Sequence, residues 1–164
     1  MKTIKMLLAF TIFLGLVGFV PNGGQRLVSD THPTIDDLIG TWELVSFKYG
    51  EEQSFSPRPD FIGYRKLITP THFVYVSFEE GKEAIDYAGG GTFTLKDGIY
   101  TEHIEFYYPG DSKLLGSAMP FQCKIQDKRW HHSGYIIERE FDIDKGVYKV
   151  VKRQRIEEIW QRVD

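Results

Sequence analysis

The chain has 164 residues, of which 41% are apolar and 26% charged, and its formal net charge is −3. This length suits one globular domain, and the slightly acidic charge argues against a nucleic-acid-binding surface, which needs a basic face. Cys123 is the only cysteine. No intrachain disulfide can therefore form, and the fold has to rest on its core.

The first 24 residues form a segment apart from the rest. Two lysines precede an uncharged apolar stretch from Met6 to Val20, and a turn-forming PNGG follows it. This pattern predicts a Sec-type signal peptide over residues 1–24 and export to the periplasm or beyond the cell. An uncleaved anchor is the alternative, although a membrane span usually needs about 20 apolar residues. No cysteine lies directly after the stretch, so a lipoprotein is not expected, and after cleavage no membrane span is expected either.

Residues 25–37 are predicted to be a linker that ends in a short helical turn after Pro33. From residue 38 to 164, short alternating segments separated by turn residues predict an antiparallel all-β domain. Two prolines in SFSPRPDFIG predict a loop, and Asp97-Gly98 predicts a hairpin turn. The eight to ten strands fit a sandwich or a single up-and-down β-barrel. They are expected over residues 40–49, 64–69, 71–78, 89–95, 99–108, 121–126, 129–137 and 155–163, with two short strands around residues 144–146.

The first and last predicted strands each carry a tryptophan. Alternation puts Trp42 and Phe47 on opposite faces of the first strand, and Trp160 and Arg162 on one face of the last. If the sheet closes, these strands become neighbours, and the Arg162 guanidinium can lie flat on the Trp42 indole. Gly40 would let the backbone bend at the barrel floor. The residues expected to close the barrel are therefore Gly40, Trp42, Trp160 and Arg162.

Gly40-Thr41-Trp42 resembles the G-x-W signature of the lipocalins and the wider calycin superfamily, and Arg162 resembles the arginine that packs over that tryptophan. Together with ITPTHFVYV, GGGTFTLKDGIYTEHIEFY and EEIWQRV, residues 36–164 resemble the lipocalin-like domains of unknown function in secreted Bacteroidota proteins. The resemblance implies a closed up-and-down barrel that holds a small hydrophobic or amphipathic molecule, with Trp42 plugging one end.

Alternation in the strands at 71–78 and 99–108 indicates which side chains line such an interior. The face that carries Glu102 is mainly apolar and is therefore expected to point inwards. A buried carboxylate needs donors or a proton, which Tyr75, Tyr100 or a ligand could supply. Alternatively, Glu102 is a structural carboxylate bonded to Arg65 or Arg129. The predicted ligand-binding residues are Phe73, Tyr75, Tyr100, Glu102, Phe106, Trp130 and His132.

No motif in the sequence predicts a cofactor, a metal ion or a nucleophile. His131 and His132 alternate across one strand, so they do not form a metal site together. No G-x-S-x-G occurs, and Cys123 alternates with apolar residues, which predicts a buried and inert thiol. Glu102 and His132 could act as general acid and base in an isomerase or hydratase. The glycine run at 89–91 is expected to form a bulge where the barrel curves, since no phosphate-loop residues follow it.

Three functions are open at this point, and the sequence favours the first. An exported barrel that binds a small hydrophobic or amphipathic ligand predicts an aromatic-lined cavity. A structural or partner-binding module predicts a filled barrel with an exposed apolar patch. An enzyme predicts convergent polar groups around Glu102.

Overall fold

The computed structural model describes residues 32–110 and 113–164. The predicted signal peptide (1–24) and the predicted linker up to residue 31 lie outside the described residues. Within the described part, no helix is long and apolar enough to cross a membrane.

One helical turn precedes a set of nine strands in the described part of the chain. Helix α1 spans Ile35–Leu38 and is the turn expected at the end of the linker. The Asp37 carboxylate accepts a hydrogen bond from the Thr34 amide at 2.8 Å, as in a capping box. The strands are β1 (Gly40–Tyr49), β2 (Ser56–Pro57), β3 (Ile62–Ile68), β4 (His72–Glu79), β5 (Ile85–Lys96), β6 (Ile99–Tyr108), β7 (Ala118–Gln126), β8 (Arg129–Asp142) and β9 (Val147–Arg162).

The strands close into a barrel. Strands β1 and β3 to β9 follow one another round the sheet, each antiparallel to the next, and β9 pairs with β1. The all-β, up-and-down barrel of eight to ten strands predicted from the sequence is thereby confirmed, with eight strands in the closed sheet. The two-residue strand β2, inside the segment predicted to be a loop, pairs with β1 beyond the end of β3.

Tight turns connect neighbouring strands at the predicted positions. Asp97 and Gly98, between β5 and β6, have φ angles of 50° and 74°, the left-handed pair that a two-residue type I′ turn requires. Asp127 and Lys128, between β7 and β8, adopt φ angles of 51° and 61°. In both hairpins, the backbone twist of the turn therefore matches the right-handed twist of the flanking strands.

A β-bulge in β1 reverses the side-chain alternation that a regular strand would keep. The register with β9 shifts between Leu44 and Ser46, so Val45 is an extra residue. Phe47 consequently packs against the core. The prediction that Phe47 faces away from the Trp42 side was wrong because one inserted residue moves every later side chain to the other face.

A second bulge lies at the glycine run, as the sequence predicts. Gly90 pairs with Phe106, but Gly91 pairs with Ile104, which leaves Glu105 as the extra residue. Beyond it the alternation of β6 is reversed, so the Phe106 ring lies on the outer face, 46% exposed. The prediction of Phe106 as a cavity residue was wrong for this reason.

The last hairpin is longer than the sequence indicated. Strand β8 continues to Asp142 and β9 begins at Val147, so the two short strands expected near residues 144–146 are the ends of these long ones. Strand β7 pairs with β8 only as far as Gly134, and β1 pairs with β9 only from Ile156 onwards. Residues 135–155, here called the projecting hairpin, therefore extend beyond the paired part of the barrel.

A group of fully buried aromatic side chains closes one end of the barrel, here called the floor. Trp42 and Trp130 are fully buried, and their rings meet edge to face with centroids 5.5 Å apart. Leu38 of α1 is also fully buried, and its carbonyl oxygen accepts a hydrogen bond from Trp42 Nε1 at 2.8 Å. The helical turn thus covers the floor and satisfies the indole donor that burial would otherwise leave unpaired.

Candidate functional site

Above the floor, the barrel encloses a cavity of about 520 Å³. Its mouth lies at the base of the projecting hairpin, where Ile136, Glu138 and Gln154 line it. This volume falls within the range of about 300–1,000 Å³ that is usual for small-molecule sites. The other described side chains that line it are Tyr49, Tyr64, Lys66, Tyr75, Tyr87, Glu102, Ile104, Tyr107, Lys113, Leu114, Met119, Phe121, His132, Ile156 and Glu158.

Apolar side chains from three strands form part of the cavity wall. Ile104 of β6, Met119 and Phe121 of β7, and Ile156 of β9 are all at most 3% exposed. The Phe121 ring occupies the space beside Gly134, where a Cβ would lie 2.6 Å from it. This part of the wall offers no hydrogen-bonding side chain and suits the apolar portion of a ligand.

Tyrosines form much of the remaining wall. The rings of Tyr64, Tyr75 and Tyr87 contact one another edge to face, with centroids 5.6 to 6.4 Å apart. Burial raises the pKa of all three hydroxyls above the usual value, so they stay protonated. This region of the cavity therefore presents neutral groups that can both donate and accept hydrogen bonds.

A buried ion pair spans the interior just above the floor. Lys66 of β3 donates to Glu102 of β6 at 2.7 Å, and the two side chains are only 4% and 6% exposed. The Lys66 ammonium also lies 5.2 Å from the Trp130 ring centroid and 5.0 Å from that of Trp160. The carboxylate and the aromatic faces together offset the cost of removing this ammonium from water.

A second buried carboxylate, Glu158 of β9, is held by three donors. The Tyr49 hydroxyl donates to it at 2.7 Å, Trp160 Nε1 at 3.0 Å and His132 Nδ1 at 3.1 Å. Burial alone would raise the pKa of Glu158, but the hydrogen bonds from His132 and Tyr49 and the charge of Lys66 hold that pKa below its usual value. The carboxylate is therefore ionised at neutral pH.

His132 is neutral beside this carboxylate. Its side chain is 1% exposed, and burial, together with the nearby Lys66 charge, lowers the pKa of the imidazole. The neutral ring donates from Nδ1 to Glu158, which leaves Nε2 without a proton. Nε2 has no hydrogen-bond partner among the described residues. Among the described residues, the charges that are both buried and in the cavity wall are thus one ammonium and two carboxylates, all hydrogen-bonded.

The described residues also match a known family. Residues 37–164 match the model of the Domain of unknown function (DUF4488). The chain belongs to the DUF4488 family. No curated protein matches the chain. The matched range contains every strand of the barrel and therefore all the residues that line the cavity of this DUF4488 domain.

The seven predicted ligand-binding residues are distributed over three environments in this DUF4488 domain. Those that line the cavity are Tyr75, Glu102 and His132. Those that pack in the floor, at most 1% exposed, are Phe73, Tyr100 and Trp130. The residue on the outer face is Phe106. Alternation identified the inward face of each strand up to the bulge, but it carries no information about height along the barrel axis.

The partner of Glu102 was not identified from the sequence. Arg65 lies on the outside, with its guanidinium 5.4 Å from the Phe78 ring centroid, and Arg129 is exposed. The cation that faces Glu102 is Lys66. Its position in β3, alternating with neighbours that point outwards, indicates that its side chain points inwards. Lysines are usually found on the surface, so the sequence alone did not assign Lys66 to the interior.

Glu102 and His132, considered from the sequence as a general acid and base, each form a hydrogen bond with another side chain. His132 bonds to Glu158, and Glu102 bonds to Lys66. Cys123 is buried and free, and burial raises the pKa of its thiol to about 12, so it is no nucleophile at neutral pH. Among the described residues, no group of three His, Cys, Asp or Glu side chains is placed to hold a metal ion.

The residues expected to close the barrel lie at its seam. The Arg162 guanidinium lies 4.7 Å from the Trp42 ring centroid, and it donates to the carbonyl oxygens of Ile39, at 2.5 Å, and Asp37. Trp160 is fully buried above Trp42. A Cβ on Gly40 would lie 2.8 Å from Arg162 Nη1, so the glycine leaves room for the guanidinium.

Proposed function

We propose that this DUF4488 domain is an exported, lipocalin-like barrel that binds a small amphipathic molecule in its interior. The observation that carries the proposal is a cavity of about 520 Å³ with apolar and polar walls. The apolar part of the ligand would pack on Ile104, Met119 and Phe121. Its polar end would bond to the tyrosine hydroxyls or to the buried Lys66 and Glu102 pair.

The sequence supports the remaining parts of this proposal. The G-x-W motif at Trp42, with Arg162 stacked on it, is the feature that resembles lipocalins. The basic and apolar start of the chain favours export. The charged groups of the interior are already paired with one another, which favours reversible binding over proton transfer to a substrate.

A neutral fluorescent probe tests binding directly. N-phenyl-1-naphthylamine brightens when it enters an apolar site, and the full chain should bind one molecule per barrel. Ile136→Trp fills the cavity mouth, and we expect it to weaken probe binding by about tenfold or more, the equivalent of the cost of overpacking. The matched control is Ile137→Trp, the next residue of β8, whose side chain lies on the opposite face.

Equal probe affinity in the two tryptophan variants would contradict the proposal, because the probe would then bind elsewhere. Failure of the unmodified chain to bind the probe would also contradict it and would favour a filled barrel that serves as a structural or partner-binding module. Circular dichroism of each variant shows that the barrel is intact.

A further inference from the structure

The projecting hairpin, residues 135–155, has two different faces. Its inner face continues the cavity wall, because Ile136 and Glu138 of β8 line the cavity. Phe141 and Tyr148 lie opposite each other on the outer face, with ring centroids 5.2 Å apart. A bulge with Val151 as the extra residue separates Glu138 from the distal part of the hairpin, so the side-chain alternation of β9 is reversed beyond it.

The acidic side chains of the hairpin strands lie on the inner face and are paired with lysines. The ion pairs are Glu138 with Lys152 at 2.9 Å, Glu140 with Lys113, and Asp142 with Lys145 and Lys149 at 4.0 Å each. Asp144 is the one further acid of the hairpin and belongs to the turn. The strand carboxylates therefore do not reach the outer face.

The outer face of the hairpin carries arginines and apolar side chains. Arg155 is paired with Glu157 at 2.5 Å, at the edge of the barrel proper. Arg153 stacks on Tyr135, with its guanidinium carbon 4.3 Å from the ring centroid. Within residues 32–110 and 113–164, neither Arg139 nor Arg153 has an ion-pair partner. The strand pairing assigns to this face Tyr135, Ile137, Arg139, Phe141, Tyr148, Val150, Arg153 and Arg155.

The apex of the hairpin is apolar and uncovered by the described residues. Ile143 is 85% exposed, Tyr148 65%, Val147 53% and Phe141 51%. A soluble protein rarely leaves such a cluster exposed unless it contacts a partner or a membrane.

We propose that the projecting hairpin docks on an anionic phospholipid surface, with its apex among the headgroups and its outer-face arginines on lipid phosphates. Arginine suits phosphate because its planar fork of donors matches the phosphate oxygens. Aromatic and aliphatic side chains at a projecting tip suit the boundary between headgroups and acyl chains. The hairpin has six basic and four acidic residues, whereas the whole chain has a net charge of −3. Electrostatic attraction to an anionic surface is therefore expected at the hairpin and not over the whole protein.

The position of the hairpin connects docking with the cavity. Its base lines the cavity mouth at Ile136 and Gln154, so docking at the apex turns the mouth toward the lipid surface. Amphipathic molecules partition into membranes, and the barrel could exchange its ligand there without passing it through water. This exchange rests on the proposed function, whereas docking rests on the hairpin alone. An acidic protein surface would match the arginines but would leave the projecting apolar apex unexplained.

A tryptophan placed at the apex tests the docking. Ile143→Trp in the full chain reports insertion through a blue shift of its fluorescence and through quenching by phospholipids brominated on their acyl chains. The native tryptophans are fully buried and provide a constant background. The matched control is Leu67→Trp, which replaces a 45% exposed residue of β3 near the floor. Vesicles of phosphatidylglycerol mixed with phosphatidylcholine are compared with vesicles of phosphatidylcholine alone.

We expect the shift and the quenching only for Ile143→Trp and only with the anionic vesicles. Adding Arg139→Gln and Arg153→Gln to Ile143→Trp should weaken partitioning about 25-fold, since each cationic side chain at an anionic surface contributes about fivefold. Equal signals from both tryptophan positions, no signal with vesicles, or equal signals with neutral vesicles would overturn the proposal. A shift with polyglutamate but not with vesicles would also overturn it and would identify an acidic protein surface as the occupant.

The docking experiment and the probe titration test separate claims, and either claim can be wrong without the other. Quenching at the apex without N-phenyl-1-naphthylamine binding would keep the docking and remove the ligand exchange. Probe binding in vesicle-free buffer without quenching at the apex would remove the docking and keep the binding function.

Discussion

Glu158 and His132 are two buried residues through which pH acts on the stability of this barrel. The folded state holds the pKa of His132 below its ordinary value of 6.5, so the unfolded chain takes up this proton first as the pH falls. The contribution of His132 to the free energy of unfolding is therefore fully present above about pH 6.5 and decreases as the pH falls below that value. Glu158 acts in the same direction at lower pH, because its folded pKa lies below the ordinary 4.5.

We therefore predict that the free energy of unfolding, measured by urea titration, decreases steadily from pH 7 to pH 4. His132→Gln keeps a donor for Glu158 but removes the imidazole, so the decrease between pH 6.5 and pH 5 should become shallower. His131→Gln, at the exposed neighbouring position, is the control substitution. A pH profile of His132→Gln identical to that of the unmodified chain would show that His132 does not take part.

The cavity residues were predictable only in part at this scale. Tyr75, Glu102 and His132 could be assigned to the interior because each lies on the inward face of a strand before any bulge. Lys66 could not, because a lysine is rarely buried and the carboxylate that compensates it comes from a strand 36 residues away in sequence. Such pairings depend on register across the barrel, which single-strand patterns do not contain.

At the scale of elements, the bulge at the glycine run determines which side chains of β6 face the cavity. A Cβ on Gly91 would lie 2.0 Å from the His103 carbonyl oxygen, a contact that only backbone movement can relieve. We predict that Gly91→Ala lowers the free energy of unfolding by about 1–3 kcal/mol, as overpacking does. Urea titration measures this loss.

The matched control for Gly91→Ala is Gly110→Ala, where a Cβ would have no neighbour within 4 Å among the described residues. That change should alter the free energy of unfolding by less than about 0.5 kcal/mol. Equal losses in the two variants would show that the close backbone approach at Gly91 is not what requires the glycine.

The bulges at Val45 and at the glycine run also explain where element prediction from the sequence failed. The run at 89–91 predicted the second bulge, but the inward face of β6 was still read as a continuous alternation, which misplaced Phe106. Val45 gives no comparable signal, so Phe47 was misplaced as well. The length of β8 and β9 was underestimated because Phe141 and Tyr148 lie beside charged residues that normally indicate a loop.

For the whole molecule, closure depends on the seam between β1 and β9. Arg162 joins the last strand to the first through its stacking on Trp42 and its bonds to the Ile39 and Asp37 carbonyls. Lysine keeps the charge but loses the planar fork. We predict that Arg162→Lys lowers the free energy of unfolding by about 1–3 kcal/mol, from the lost cation–π contact and hydrogen bonds.

The control for Arg162→Lys is Arg65→Lys, since Arg65 stacks on Phe78 on the outside of the barrel. We expect this change to cost less than about 0.5 kcal/mol, as surface substitutions usually do. If thermal and urea unfolding show equal effects for the two arginines, the seam does not depend on Arg162.

The closed barrel was predictable because the first and last strands carry residues that can contact each other. Trp42 lies two residues after Gly40 in the first strand, and Trp160 and Arg162 share a face in the last. Closure of the sheet accounts for both patterns. The closed fold and its turns follow from such local patterns. The volume and polarity of the cavity do not, because they depend on how far Phe73, Tyr100 and Trp130 fill the barrel from the floor upwards.

The measurement that tests ligand binding most directly is native mass spectrometry of the chain purified from cells, followed by extraction of any bound molecule. We predict one additional mass per chain from a small amphipathic compound, retained less well by Tyr75→Phe and Glu102→Gln and lost in Ile136→Trp. A mass that matches the chain alone, together with failure to bind N-phenyl-1-naphthylamine, would contradict the account and would mean that the barrel interior holds no ligand.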